Sequence, residues 1–142
     1  MKINKINQDK ILKAIELVCP LLKNDLIEEA YVVGSVAKGT AKVESDVDVY
    51  LINSKFEGYD TQLYSDSFRE NVKKVIDHLK NRGIEFRKIE TKKQNLIRNF
   101  YYQIYKNEIF HFMYDYESES VKDAGEYIEI NDELCDEINE LV

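Results

Sequence analysis

Apolar residues recur along this chain at two periods, and each period predicts an element. Behind Asn7, which the pattern makes an N-cap, Ile11, Leu12, Ile15, Val18, Cys19 and Leu22 fall on one helical face. Pro20 has no backbone N–H to donate, so this first helix is expected to kink or end near Cys19. Residues 30–34 predict a short apolar strand, 35–38 a helical turn and 46–53 a second strand. Phe68, Val72, Val75, Ile76 and Leu79 then mark an amphipathic helix begun by Ser65 or Asp66 and stopped by Gly83. Residues 84–90 read as a strand, and 92–106 as a helix carrying Leu96, Ile97, Phe100, Tyr101 and Ile104. The nearly continuous apolar run 109–116 predicts the last strand, and Leu134, Ile138, Leu141 and Val142 return to helical spacing. Such alternation predicts an α/β or α+β domain, a mixed sheet flanked by helices.

Composition narrows this picture without redrawing it. A chain of 142 residues has room for one domain and one core, and 44% hydrophobic with 33% charged residues excludes a disordered or fibrous chain. No apolar run reaches the 18 or so residues of a membrane span, and the lysine-dotted start lacks the apolar stretch of a signal peptide. Cys19 and Cys135 are single and distant, and are expected to pack as thiols in a reducing, cytoplasmic compartment. The net charge of -7 is unevenly spread: residues 117–142 hold ten acids and one lysine, leaving seventeen acids and nineteen bases in residues 1–116. The reading is therefore a mildly basic domain, 1–116, with an acidic helical extension of the same domain, 117–142. Non-specific nucleic-acid binding needs a broad basic face, so a nucleotide or a protein partner fits better.

The chemistry concentrates in residues 32–52. Gly34 has no side chain to hold off a phosphate, and Ser35 opens a helical turn whose free N–H groups can face an anion. Asp46 and Asp48, two apart on a strand, project from one face with Val47 and Val49 on the other. Paired carboxylates repel unless a cation lies between them, and Mg²⁺ binds through one or two carboxylates plus substrate phosphates. Lys38 and Lys42 lie between the two features, where a cation could meet phosphate oxygens. The plainer alternatives are a ligand-free tight turn, a solvated acid pair and two loop lysines. His78 reads as a solvated helix residue and His111 as a core histidine.

Val33-Gly34-Ser35, ten intervening residues, then Asp46-Val47-Asp48-Val49 resemble the signature of the polymerase-β-like nucleotidyltransferase superfamily. The local form, Gly-Ser-Val-Ala-Lys-Gly-Thr and Ser-Asp-Val-Asp-Val, looks most like its minimal, single-domain members. The resemblance implies a palm-type sheet and transfer of a nucleoside monophosphate from an NTP, ATP first, to an acceptor hydroxyl. It implies two Mg²⁺ ions on Asp46 and Asp48, with Gly34, Ser35, Lys38 and Lys42 on the triphosphate. A third carboxylate is expected from a later strand: Glu85 between Ile84 and Phe86, or Asp115 between Tyr114 and Tyr116, or none, with Arg87 beside Glu85. It also implies a separately encoded HEPN-type partner, in a toxin and antitoxin pair, with the apolar stripe of the tail either docking there or packing on its own domain. The alternative is a non-catalytic nucleotide-binding or partner-neutralising module.

Overall fold

In the computed structural model, residues 4–57, 66–93 and 96–141 are described. Helix α1 spans Lys5–Lys23, and its N-cap is Asn4, whose side chain accepts from the Asn7 N–H at 2.9 Å. The expected cap, Asn7, instead lies a turn inside the helix and is fully buried. Pro20 does not end α1, which runs on to Lys23. The proline removes one bond, the one Glu16's carbonyl would have accepted, while buried Leu17, Val18 and Leu21 hold both sides of it against the core.

Strand β1 (Glu29–Val33) leads through the short helix α2 (Gly34–Lys38) and a loop to β2 (Val47–Ile52). A 3₁₀ turn follows, then helix α3 (Asp66–Asn81) on the predicted amphipathic stretch. Strands β3 (Glu85–Lys93), β4 (Leu96–Tyr105) and β5 (Glu108–Asp115), helix α4 (Glu119–Asp123), strand β6 (Ile128–Ile130) and helix α5 (Asp132–Leu141) complete the chain. The six strands form one sheet in the order β3-β4-β5-β2-β1-β6. It is mixed: β2 and β5 run parallel, while the other neighbours are antiparallel.

In place of the helix expected over 92–106, Lys92 and Lys93 end β3 and Leu96–Tyr105 form β4. Apolar letters at that spacing satisfy either period, and aromatic and β-branched residues favour a strand. Lys106 and Asn107, both at positive φ, make the two-residue turn that sends β4 back as β5, with Tyr105 opposite Glu108. The run 109–116 is β5 but not the last strand, because β6 pairs with β1 at the sheet's far edge. The boundary drawn at residue 116 therefore does not divide the sheet. The cap expected at Ser65 falls outside the described residues.

Alternation along the strands sorts the two sheet faces. Ala30 and Val32, Val47, Val49 and Leu51, and Phe110 and Phe112 pack into the main core with α1 and with Phe68, Val75 and Leu79 of α3. Leu134 and Ile138 of α5 pack against this same core, so these two residues of the tail's apolar stripe are used within their own domain. Tyr31, Val33, Asp48, Tyr50 and Ile52 take the opposite parity, and there Tyr31 and Ile52 form a small cluster with Val121 of α4. The long helices thus cover one face and leave the carboxylate face largely open.

Cys19 and Cys135 are joined by a disulfide between α1 and α5, with Cα atoms 5.8 Å apart. The expectation of two unpaired thiols is corrected. Helix packing brings together residues separated by 116 positions, which sequence distance cannot register. Among the described residues, no helix is long and apolar enough to cross a membrane.

Candidate active site

Gly34 ends β1 and begins α2 with φ of +69°, a conformation that disfavours any side chain. A Cβ built there would lie 2.7 Å from Asp48 Oδ2, so that carboxylate takes the space a side chain at this turn would need. Strand register explains the contact: Val33, the residue before Gly34, is paired with Asp48 across the β1–β2 ladder. Ser35 follows in α2, whose end is marked by Gly39 in the left-handed region. The predicted phosphate cradle and the predicted metal-binding acid are therefore adjacent.

Asp48 is half-buried on β2, whereas Asp46 is exposed and precedes the strand. Burial raises the Asp48 pKa above the ordinary carboxylate value, His111 opposes that rise and the negative charge of Asp46 adds to it. His111 is the neighbour that the sequence reading missed. It pairs with Asp48 between the parallel strands β2 and β5, and its Nδ1 lies 3.4 Å from Asp48 Oδ1. Its side chain is 63% exposed, so it is a site residue rather than a core histidine. Strand parity accounts for it once burial is known: Phe110 and Phe112 are buried, which puts His111 between them on the other face.

The loop between α2 and β2 is held from beneath by α1. Lys10, 1% exposed, donates to the carbonyls of Val43 at 3.0 Å and Ser45 at 2.8 Å and pairs with Glu108 Oε2 at 2.6 Å. Lys13 reaches the other oxygen of Glu108 at 3.2 Å. Asn7 Oδ1 accepts from the Ala41 N–H, and Ser45 Oγ accepts from the Lys42 N–H. Every buried polar group of Lys10 thus has a partner, and the residues just before Asp46 are tied to the helix. Lys10 lies one turn before Ala14 on the buried stripe of α1, which was the only sign of it in the sequence.

Lys38 ends α2 beside Gly34, and Lys42 stands exposed on the loop. Glu85 is not brought to the pair. It lies on the edge strand β3, three strands from β2 or about 14 Å across the sheet, and is 62% exposed with Arg87 Nη2 at 3.0 Å. Asp115 pairs with Ile52, about 13 Å along the strand from Asp48, and its oxygens accept from Tyr116 N–H and Ser120 Oγ. His78 is half-buried with Nε2 shielded and unpartnered, not solvated.

Among the described residues, no three acid, histidine or cysteine side chains gather into a metal cage. Two hard carboxylates two residues apart, one of them against the glycine turn, still fit a Mg²⁺ ion that shares its ligands with a triphosphate. They do not supply a third carboxylate for a second ion.

No curated protein and no solved structure matches the chain. Residues 11–128 match the family described as "Nucleotidyltransferase domain", a span that runs from the first turns of α1 through the cradle and the acid pair to the start of β6. With the mixed sheet and the contact between Gly34 and Asp48, that match places this chain in the nucleotidyltransferase domain family of the polymerase-β-like superfamily.

Proposed function

We propose that the protein transfers a nucleoside monophosphate from an NTP, ATP first, to an acceptor hydroxyl. The observation that carries this reading is the contact of the Gly34 turn with the Asp48 carboxylate, which puts a triphosphate next to the acids that would hold its cation. In the reaction the acceptor oxygen bonds to the α-phosphorus and the bond to the bridging β-phosphate oxygen breaks. Pyrophosphate leaves, and the hydroxyl proton passes to solvent. Bound Mg²⁺ would lower the hydroxyl pKa and neutralise charge on the leaving group. Asp46 and Asp48 would hold it, and a second ion would have to rest on the same two carboxylates. Backbone N–H groups at Gly34 and Ser35, with Lys38 and Lys42, would orient the triphosphate.

The form of its motif supports membership of the minimal nucleotidyltransferases and a role as antitoxin to a HEPN-type toxin, with a hydroxyl on that partner as acceptor. An NTP donor favours the cytoplasm, where the Cys19–Cys135 pair would be reduced. A non-catalytic, nucleotide-binding or partner-neutralising module is the second reading, favoured by the distance of Glu85 and Asp115 from the pair.

The test is transfer of α-³²P from each NTP with Mg²⁺ into protein or RNA of a source-cell lysate, with the Asp46→Asn/Asp48→Asn double variant as control. Label that depends on the carboxylates is expected. Nucleotide-dependent thermal stabilisation without label would select the second reading.

A further inference from the structure

Between β5 and β6 the chain arches over the face that carries Asp48. Val121 of α4 is buried against Tyr31 and Ile52, and the Tyr127 ring stands edge-on to Tyr31 with centroids 5.5 Å apart. Lys122 Nζ lies 5.5 Å from the same tyrosine ring. The arch is thus anchored on β1 and stands off from α2, leaving an open cleft of about 250 Å³. Val33 and Tyr50 floor it, Gly34 and Lys38 form one wall, and Ala124 and Glu126 form the other. It adjoins the acid pair: Val33 is Asp48's partner across the ladder, and Tyr50 is two residues, about 7 Å, further along the same face.

Away from the Gly34 turn, the charge of this cleft is wrong for phosphate. Lys38 stands on the wall shared with that turn and Glu126 on the other wall, and the arch also carries Glu117, Glu119 and Asp123 against Lys122 alone. A polyanion would meet like charge there. A flat, neutral heteroaromatic group suits the apolar floor and aromatic ring, with Lys38 and Glu126 at its polar edge.

We infer that this cleft takes the nucleobase and ribose of the donor, so that the acidic C-terminal segment supplies one wall of the nucleotide site. The inference rests on the nucleotidyltransferase reading of the Gly34 and Asp48 site. The triphosphate lies at the turn, and the nucleoside runs from it under the arch.

Titration calorimetry on the full chain with Mg-ATP and, separately, Mg-tripolyphosphate tests this. Ala124→Trp, an exposed position on the arch, fills the cleft, and Tyr50→Leu keeps an apolar floor without the ring. Each is expected to weaken Mg-ATP about ten-fold or more, the size of one lost stacking contact, and to leave Mg-tripolyphosphate within about two-fold. Tyr50→Leu decides the matter should the tryptophan disturb the arch, as judged by the melting temperature. Equal weakening of both ligands would make the cleft part of the phosphate site and overturn the inference. Unchanged Mg-ATP affinity would overturn it too. If the wild-type chain binds neither ligand, the nucleotide reading itself falls first.

Discussion

A single methyl group on Gly34 tests the site's tightest contact. Gly34→Ala is expected to lose about 1–2 kcal/mol for its positive φ alone, and to push the Asp48 carboxylate out of place because the new Cβ would lie 2.7 Å from Oδ2. Urea unfolding reads the first effect, and Mg-NTP affinity, expected to fall below detection, reads the second. Asp48→Asn separates stability from function. A carboxyl whose pKa is raised on folding opposes folding when ionised, so the wild type gains stability as pH falls from neutral through the raised Asp48 pKa. The asparagine variant should melt higher than wild type at pH 7, the gap should close as the solution is acidified, and Mg-NTP binding should be lost. A variant melting below wild type at pH 7 would refute that account. At this scale the Gly-Ser turn and the two aspartates were legible in the sequence, because they lie at the two ends of one short connection between adjacent strands. His111 was not, because an apolar run alone does not say which of its residues faces outward.

Each element holds its part of the site through a specific contact. Helix α1 supports the loop before Asp46 through Lys10, and Lys10→Met would leave two carbonyls and part of the Glu108 carboxylate without their donor. Because Lys13 still reaches Glu108, the expected loss is about 2–3 kcal/mol in urea unfolding, less than for a fully severed buried pair. Mg-NTP affinity should fall with it, and Lys13→Met, which leaves the loop bonds intact, should not change that affinity. Strand β3 is the contrary case. Glu85→Gln on the sheet edge is expected to keep nucleotidyl transfer within about two-fold of wild type in the label-transfer assay, since the side chain lies three strands from Asp48. A complete loss would restore Glu85 as the third acid. Helices α1 and α3 were readable from their 3.6-residue stripes. Strand β4 was mistaken for a helix, since Leu96, Ile97, Phe100, Tyr101 and Ile104 fit that stripe while the strands it pairs with, which set Phe86 and Phe110 opposite Gln103, lie in other segments.

Across the whole molecule, the acidic C-terminal segment closes the fold. It lays β6 beside β1, arches over the carboxylate face and bonds α5 to α1 through Cys19 and Cys135. The closed loop is long, so replacing both cysteines by serine should cost about 2–4 kcal/mol, read as a lower melting temperature that reductant no longer changes. The sequence by itself determined the fold class, the two amphipathic helices α1 and α3, and the places of the Gly34-Ser35 turn and of Asp46 and Asp48. These are local properties, set by side-chain period and by spacing within about a dozen residues. Only the tertiary structure decided that β4 is a strand, that His111 rather than Glu85 or Asp115 stands beside Asp48, that Lys10 underpins the loop and that the cysteines meet. Those pairings join segments far apart in the chain, and their register is settled by which faces the assembled sheet can bury.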